Sequence, residues 1–247
     1  MTAVLDIASE HAGLVAQLRA AGTPYRGGQH NDSYSGSGHP FFNVSAPELR
    51  RIGRAWLAGH RKAGDADLLA VVTSLFVGEA YEEKVLAATM LAANARMRRL
   101  GTPASVDGWL DHLQGWAEID SLCASVFGPD EMDADWPVWG GLVRRLGRDA
   151  NINRRRAALV LLTRPTRTSS DPRYRDLAFE IVEQLKGERP ILITKAVSWL
   201  LRSMAGRHGP AVTAYLEANA ATLPAIAVRE TRTKLQTGTK SGRTRTP

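Results

Sequence analysis

The chain has 247 residues, 44% of them apolar and 23% charged, with a net charge of +7. That length buries a real core as one large domain or two small ones, and the composition is that of a globular protein rather than a disordered or collagen-like one. No apolar run reaches the roughly 18–20 residues of a membrane span, and the first residues lack a basic region and a cleavage site, so neither a membrane segment nor a signal peptide is expected. Cys123 is the single cysteine, which excludes an intrachain disulfide and a cysteine metal cluster; a reducing bacterial cytoplasm, at the nucleoid, is the expected setting. The charge is uneven. Arg232, Lys234, Lys240, Arg243 and Arg245 supply +5 near the C-terminus with no acid among them, leaving the body near +2. A nucleic-acid partner therefore needs local clustering in the body, not the overall pI.

The apolar positions have a helical period from the start. Residues 3–22 predict a helix on Val4, Ile7, Leu14, Val15 and Leu18. Residues 23–38 are polar and rich in Gly and Ser, a connection that includes Tyr34. The stretch His39 to Val44 predicts a sharp turn, with Asn43 able to take the left-handed conformation. Ser45-Ala46-Pro47 predicts a helix start, and the helix runs over 48–59. Further helices are predicted over 66–77, 82–100, 105–113 (capped by Ser105), 117–126, 135–147, 151–162, 174–185, 190–204, 209–220 and 223–235. No β-like alternation bounded by hairpin turns occurs. The predicted class is all-α.

One helix type recurs. Leu86-Ala87-Ala88, Arg156-Ala157-Ala158 and Lys195-Ala196-Val197 share a register, and the Asp120 helix falls between the first two. Leu86, Asp120, Arg156 and Lys195 are 34, 36 and 39 residues apart. Helix pairs at that period, with small residues at close-packing positions, predict an α-solenoid of HEAT-like repeats over residues 1–235, with 236–247 as a basic, disordered tail. The second helix of each pair would line a concave, basic face.

Trp116 and Asp120 stand four residues apart, one above the other on a helix face. An aromatic plane beside a carboxylate suits a cationic group. Arg155 and Arg156 open the next helix of the type, Lys195, Trp199 and Arg202 share a side of the one after, and Arg229 opens the last. Cations spread over several repeats match duplex phosphates, each neutralised phosphate adding affinity by counterion release. A carboxylate among phosphates is repulsive unless it faces something positive, such as an alkylated purine or the sugar that loses it. No His or Cys spacing suggests a metal, and neither a Ser-His-Asp pattern nor a phosphate loop is present.

The motif Trp116-x-x-x-Asp120-Ser121, the segment Asn151-Ile152-x-x-x-Arg156-Ala157-Ala158, and Lys195-Ala196-x-x-Trp199-x-Leu201-Arg202 occur in that order. With Arg229-Glu230 and Pro40-Phe41-Phe42-Asn43-Val44, they resemble the AlkD-like DNA alkylation repair enzymes, HEAT-repeat DNA glycosylases. The likeness covers roughly residues 30–235. The resemblance implies that Trp116 and Trp199 contact the deoxyribose of the damaged nucleotide, that Asp120 is the catalytic carboxylate and that Arg156 holds the backbone. It further implies excision of cationic N3- and N7-alkylpurines (3-methyladenine, 7-methylguanine) from duplex DNA without base flipping, for base excision repair. Two positions depart from the family's pattern: Asn43 stands at its usual glycine, and Ala117 where members often carry an acid.

The expectation is therefore a monofunctional alkylpurine DNA glycosylase, monomeric and without cofactor or metal. Its catalytic residues are Asp120, Trp116 and Trp199, and its DNA-binding residues are Arg156, Arg155, Lys195, Arg202, Arg229 and Tyr34. Its partner is double-stranded DNA carrying alkylated bases. A non-catalytic binder of bent or branched DNA on the same fold is the alternative.

Overall fold

The computed structural model describes residues 4–24 and 35–242. These residues are helical with no strand among them, as the periodicity predicts. No described helix is long and apolar enough to cross a membrane. The chain divides into two compact units, residues 1–126 and 127–247.

The first unit contains α1 (Ile7–Ala21), α2 (Ala46–Gly59), α3 (Asp65–Val77), α4 (Tyr81–Ala92), α5 (Ala95–Leu100), α6 (Pro103–Trp109) and α7 (Gly115–Cys123). They stack in two rows. Helices α2, α4 and α7 pack side by side in one, and α1, α3 and α6 in the other. Sequence signals set the helix starts: Ser45 accepts from the Glu48 amide, and Asp6 from that of Ser9. Each such cap is worth about 1 kcal/mol because it satisfies an amide that has no partner in the first turn.

The second unit contains α8 (Pro129–Met132), α9 (Trp136–Gly147), α10 (Ile152–Leu161), α11 (Thr163–Thr168), α12 (Pro172–Leu185), α13 (Ile191–Met204), α14 (Gly209–Asn219) and α15 (Ala225–Thr237). Helices α10, α13 and α15 form one row, and α9 packs on α12 in the other. Phe179 of α12 stacks on Tyr215 of α14 at 4.4 Å between ring centroids, continuing that second row. Helix-on-helix rows of this kind are the local arrangement of an α-solenoid. The recurring small residues explain the close packing: Ala87, Ala88, Ala157, Ala158, Ala196 and Val197 are all buried.

Some boundaries differ from the sequence expectation. Residues 82–100 are not one helix. Asn94 interrupts them, and its side chain caps α5 by accepting from the Met97 amide. Thr102, not Ser105, caps α6; the Ser105 amide donates to the Thr102 hydroxyl. The short helices α8 and α11 have too few turns to leave a periodic signal. Helix α15 runs on to Thr237, and Lys240 lies 3.4 Å from Glu230. Asn43 has φ 60, the left-handed conformation expected of it.

Candidate DNA-interacting site

In the first unit the site is built on α7. Gly115, Ala117, Glu118, Ile119, Leu122 and Cys123 of this helix are buried, whereas Trp116, Asp120 and Ser121 are only partly covered. The helix thus presents the tryptophan and the carboxylate along one edge, one turn apart, as the spacing predicts. Cys123 is a buried thiol at the apolar side.

The position of that edge is fixed by a network absent from the sequence expectation. Glu118 is 1% exposed. Its Oε2 accepts from the Gln114 amide at 2.8 Å, so it reaches back over the first turn of its own helix. Its Oε1 accepts from the Ser37 hydroxyl and lies 2.9 Å from His39 Nδ1. A carboxylate oxygen accepts only, which places a proton on that imidazole nitrogen. Residues 35–39 are thereby held against the start of α7. Gly115 makes the approach possible: it has φ +68, and a Cβ there would meet the Ser35 carbonyl oxygen at 2.2 Å.

A second buried carboxylate anchors the next part of the same segment. Glu82, at the start of α4, accepts from the Phe42 amide at 2.9 Å and the Val44 amide at 3.3 Å. Burial pushes its pKa up, and the backbone hydrogen bonds offset this only in part. Residues 35–44, irregular from Gly36 onward, are thus fixed by Glu118 and Glu82. Tyr34, one residue before this segment, lies outside the described residues.

Helix α2 adds two arginines to the row. Arg50 and Arg54 border a groove of about 330 Å³, closed on its other sides by Thr89 and neighbouring alanines of α4 and by Ser121 and Ser125 around the end of α7. The third arginine of that helix, Arg51, is held by Glu48 through three hydrogen bonds.

In the second unit α13 repeats the pattern of α7. Ile193, Ala196, Val197, Leu200, Leu201 and Met204 are buried, while Lys195 is exposed and Trp199 and Arg202 are partly so. These three follow at four- and three-residue steps along one side. Arg229 of α15 is exposed. Lys195 and Arg229 make no ion pair among the described residues.

The other expected phosphate contacts have internal acceptors. Arg155 grips Glu188 with Nε and Nη2, at 2.7 and 3.1 Å, and donates to the Asp149 and Ala150 carbonyls. Arg156 is 5% exposed and donates from Nη1 to the Leu192 carbonyl at 2.6 Å, tying α10 to the start of α13. Arg202 lies 3.3 Å from Glu230, which also accepts from Ser198. Burial alone would raise the Glu230 pKa, but the Ser198 hydroxyl, Lys240 and Arg202 together hold it below the usual carboxylate value. Among the described residues no group of His, Cys, Asp and Glu is placed to hold a metal.

The described residues are thus all-helical, with a tryptophan–carboxylate edge on one row helix of the first unit and a lysine–tryptophan–arginine edge on one of the second. The family model for DNA alkylation repair enzymes matches residues 14–235, and the chain belongs to that family. No curated protein matches the chain.

Proposed function

We propose that the chain is a monofunctional DNA glycosylase that hydrolyses the N-glycosidic bond of cationic N3- and N7-alkylpurines in duplex DNA, without flipping the base. The observation that carries this reading is the edge of α7. Of the two carboxylates on that helix, Glu118 is buried and committed to the segment before it, whereas Asp120 stands beside Trp116 at the partly exposed edge.

A cationic purine is already a good leaving group, so no general acid has to protonate it. The barrier lies in the positive charge that grows on the deoxyribose as the bond breaks. A carboxylate beside that sugar lowers the energy of the transition state more than that of the ground state, and it also orients the attacking water. Trp116 offers an aromatic face to that cationic sugar, and Trp199 is the aromatic face that the second unit offers to DNA. The base itself is read by its charge, which removes the need for the closed pocket of base-flipping enzymes.

Lys195 and Arg229, exposed and without a carboxylate partner among the described residues, supply the phosphate contacts of the second unit. Arg155, Arg156 and Arg202 set the helices that carry them, and reach a phosphate only by exchanging their internal acceptors. Release of 7-methylguanine by the wild type and by Asp120→Asn, under single turnover, tests the reading.

A further inference from the structure

We infer that the groove between Arg50 and Arg54 is a seat for a backbone phosphate of duplex DNA, contributed by the first unit and distinct from the contacts on α13 and α15. The inference rests on the reading that the chain binds duplex DNA, but not on its excising a base.

Arg50 and Arg54 are one helical turn apart on the same side of α2, so their guanidinium groups repel one another. Neither has a carboxylate partner among the described residues. That contrasts with Arg51 between them, which holds Glu48, and with Arg96, Arg144, Arg154, Arg155 and Arg173, each within 3.1 Å of an acid. Two like charges bordering one groove without an internal counter-ion gain from an anion placed between them. The guanidinium fork suits a phosphate, which it can bind through two parallel hydrogen bonds.

The groove is held open by packing rather than by the arginines themselves. Gly53 lies between them, facing α4, where a Cβ would stand 3.2 Å from Met90 Cγ and 3.3 Å from Leu86 Cδ1. This close approach sets the groove's floor. Two of the hydroxyls that line it already donate elsewhere: Thr89 to the Val85 carbonyl and Ser121 to that of Ala117. The arginines are the charged donors for an incoming anion. Ser121 is the residue after Asp120, so the groove ends beside the candidate catalytic edge in the same row of helices. A phosphate seated there would hold a strand next to that edge.

The test is binding of the full chain to an unmodified duplex, followed by fluorescence anisotropy over a series of KCl concentrations. The proteins are the wild type, Arg50→Ala, Arg54→Ala, the double variant, and Arg51→Ala as a same-helix control with the same charge change. The double variant is expected to bind about tenfold more weakly at low salt, with its log K against log salt slope reduced by about 0.9, one phosphate's worth. The control is expected to keep the wild-type slope. Because the two arginines share one phosphate, the double variant's slope change should not exceed that of a single contact.

A wild-type slope in the double variant overturns the inference, as does an equal loss in Arg51→Ala, which would signal general electrostatics. Calorimetric titration with inorganic phosphate separates the sources. Phosphate binding that depends on these arginines, with duplex binding unchanged, would make the groove a free-anion site and refute the DNA assignment. Absence of wild-type duplex binding at low salt refutes it too. Release of 7-methylguanine, measured in parallel, decides the glycosylase reading separately. A protein that releases nothing but loses slope in the double variant keeps the phosphate seat and loses the enzyme.

Discussion

His39 Nδ1 lies 2.9 Å from Glu118 Oε1, joining a segment without regular structure to the helix that carries Trp116 and Asp120 across 79 residues of sequence. The same carboxylate accepts from Ser37 and from the first turn of its own helix. Removing it leaves three donors facing a void. Glu118→Ala is expected to destabilise the chain by about 2–4 kcal/mol in denaturant unfolding, and Glu118→Gln by less, since the amide oxygen still accepts. If the segment also holds the catalytic edge in place, Glu118→Gln should lower the excision rate more than it lowers duplex affinity. A Glu118→Ala protein as stable as the wild type would remove the anchor from consideration.

Gly115 tests the same contact from the backbone side. A side chain there must adopt a left-handed conformation, at about 1–2 kcal/mol, and also push back the Ser35 carbonyl. Gly115→Ala is expected to lose more than the conformational cost alone, read by thermal unfolding. A loss of only a few tenths of a kcal/mol would mean that residues 35–36 are not pressed against α7.

The five cations expected on the second unit should separate into two classes. Lys195→Ala and Arg229→Ala are each expected to reduce the salt slope of duplex binding by about 0.9, with stability within about 0.5 kcal/mol of the wild type. Arg155→Ala is expected to do the opposite, losing about 1–2 kcal/mol of stability as Glu188 and two carbonyls lose their donor, with the slope unchanged. A full slope change in Arg155→Ala, with stability intact, would show that this guanidinium leaves Glu188 for DNA.

That division was not legible in the sequence. Arg154-Arg155-Arg156 reads as a basic helix start facing an external anion because the acceptors lie far off: Glu188 is 33 residues away and the Leu192 carbonyl 36. The role of Glu118 leaves no local signal, since Ser37 and His39 lie 81 and 79 residues before it. Local signals fared better. Asn43, Ser45 and Pro47 announce a left-handed turn, a cap and a helix start through their own chemistry. The edges of α7 and α13 follow from spacing alone. The break at Asn94 was hidden because the apolar period runs on from Leu91 through Met97 to Leu100, and an internal cap leaves no gap in it.

His208 predicts a pH dependence. It is buried, its Nε2 has no hydrogen-bond partner among the described residues, and burial pushes its pKa below the usual imidazole value against an opposing hydrogen bond with the Ser169 backbone. The unfolded chain takes up a proton near pH 6.5 and the native chain only at lower pH. Between those values unfolding binds a proton, so stability falls as pH drops below about 6.5, by at most about 1.4 kcal/mol per pH unit, and is fully present above it. Denaturant unfolding from pH 8 to 5 should show this fall, and His208→Gln should flatten it. An identical pH profile in the variant would assign the fall to other groups.

The most direct measurement is single-turnover release of 7-methylguanine from duplex DNA by the wild type and by Asp120→Asn, with duplex affinity measured alongside. The substitution keeps the shape of the side chain and removes its charge. The expected result is release by the wild type, a loss of at least about 100-fold in the variant, and similar affinity for both, as removal of a charge that acts in the transition state requires. Equal release by the two proteins would contradict the role of Asp120, and no release by either, with tight duplex binding, would leave a DNA-binding protein without this activity.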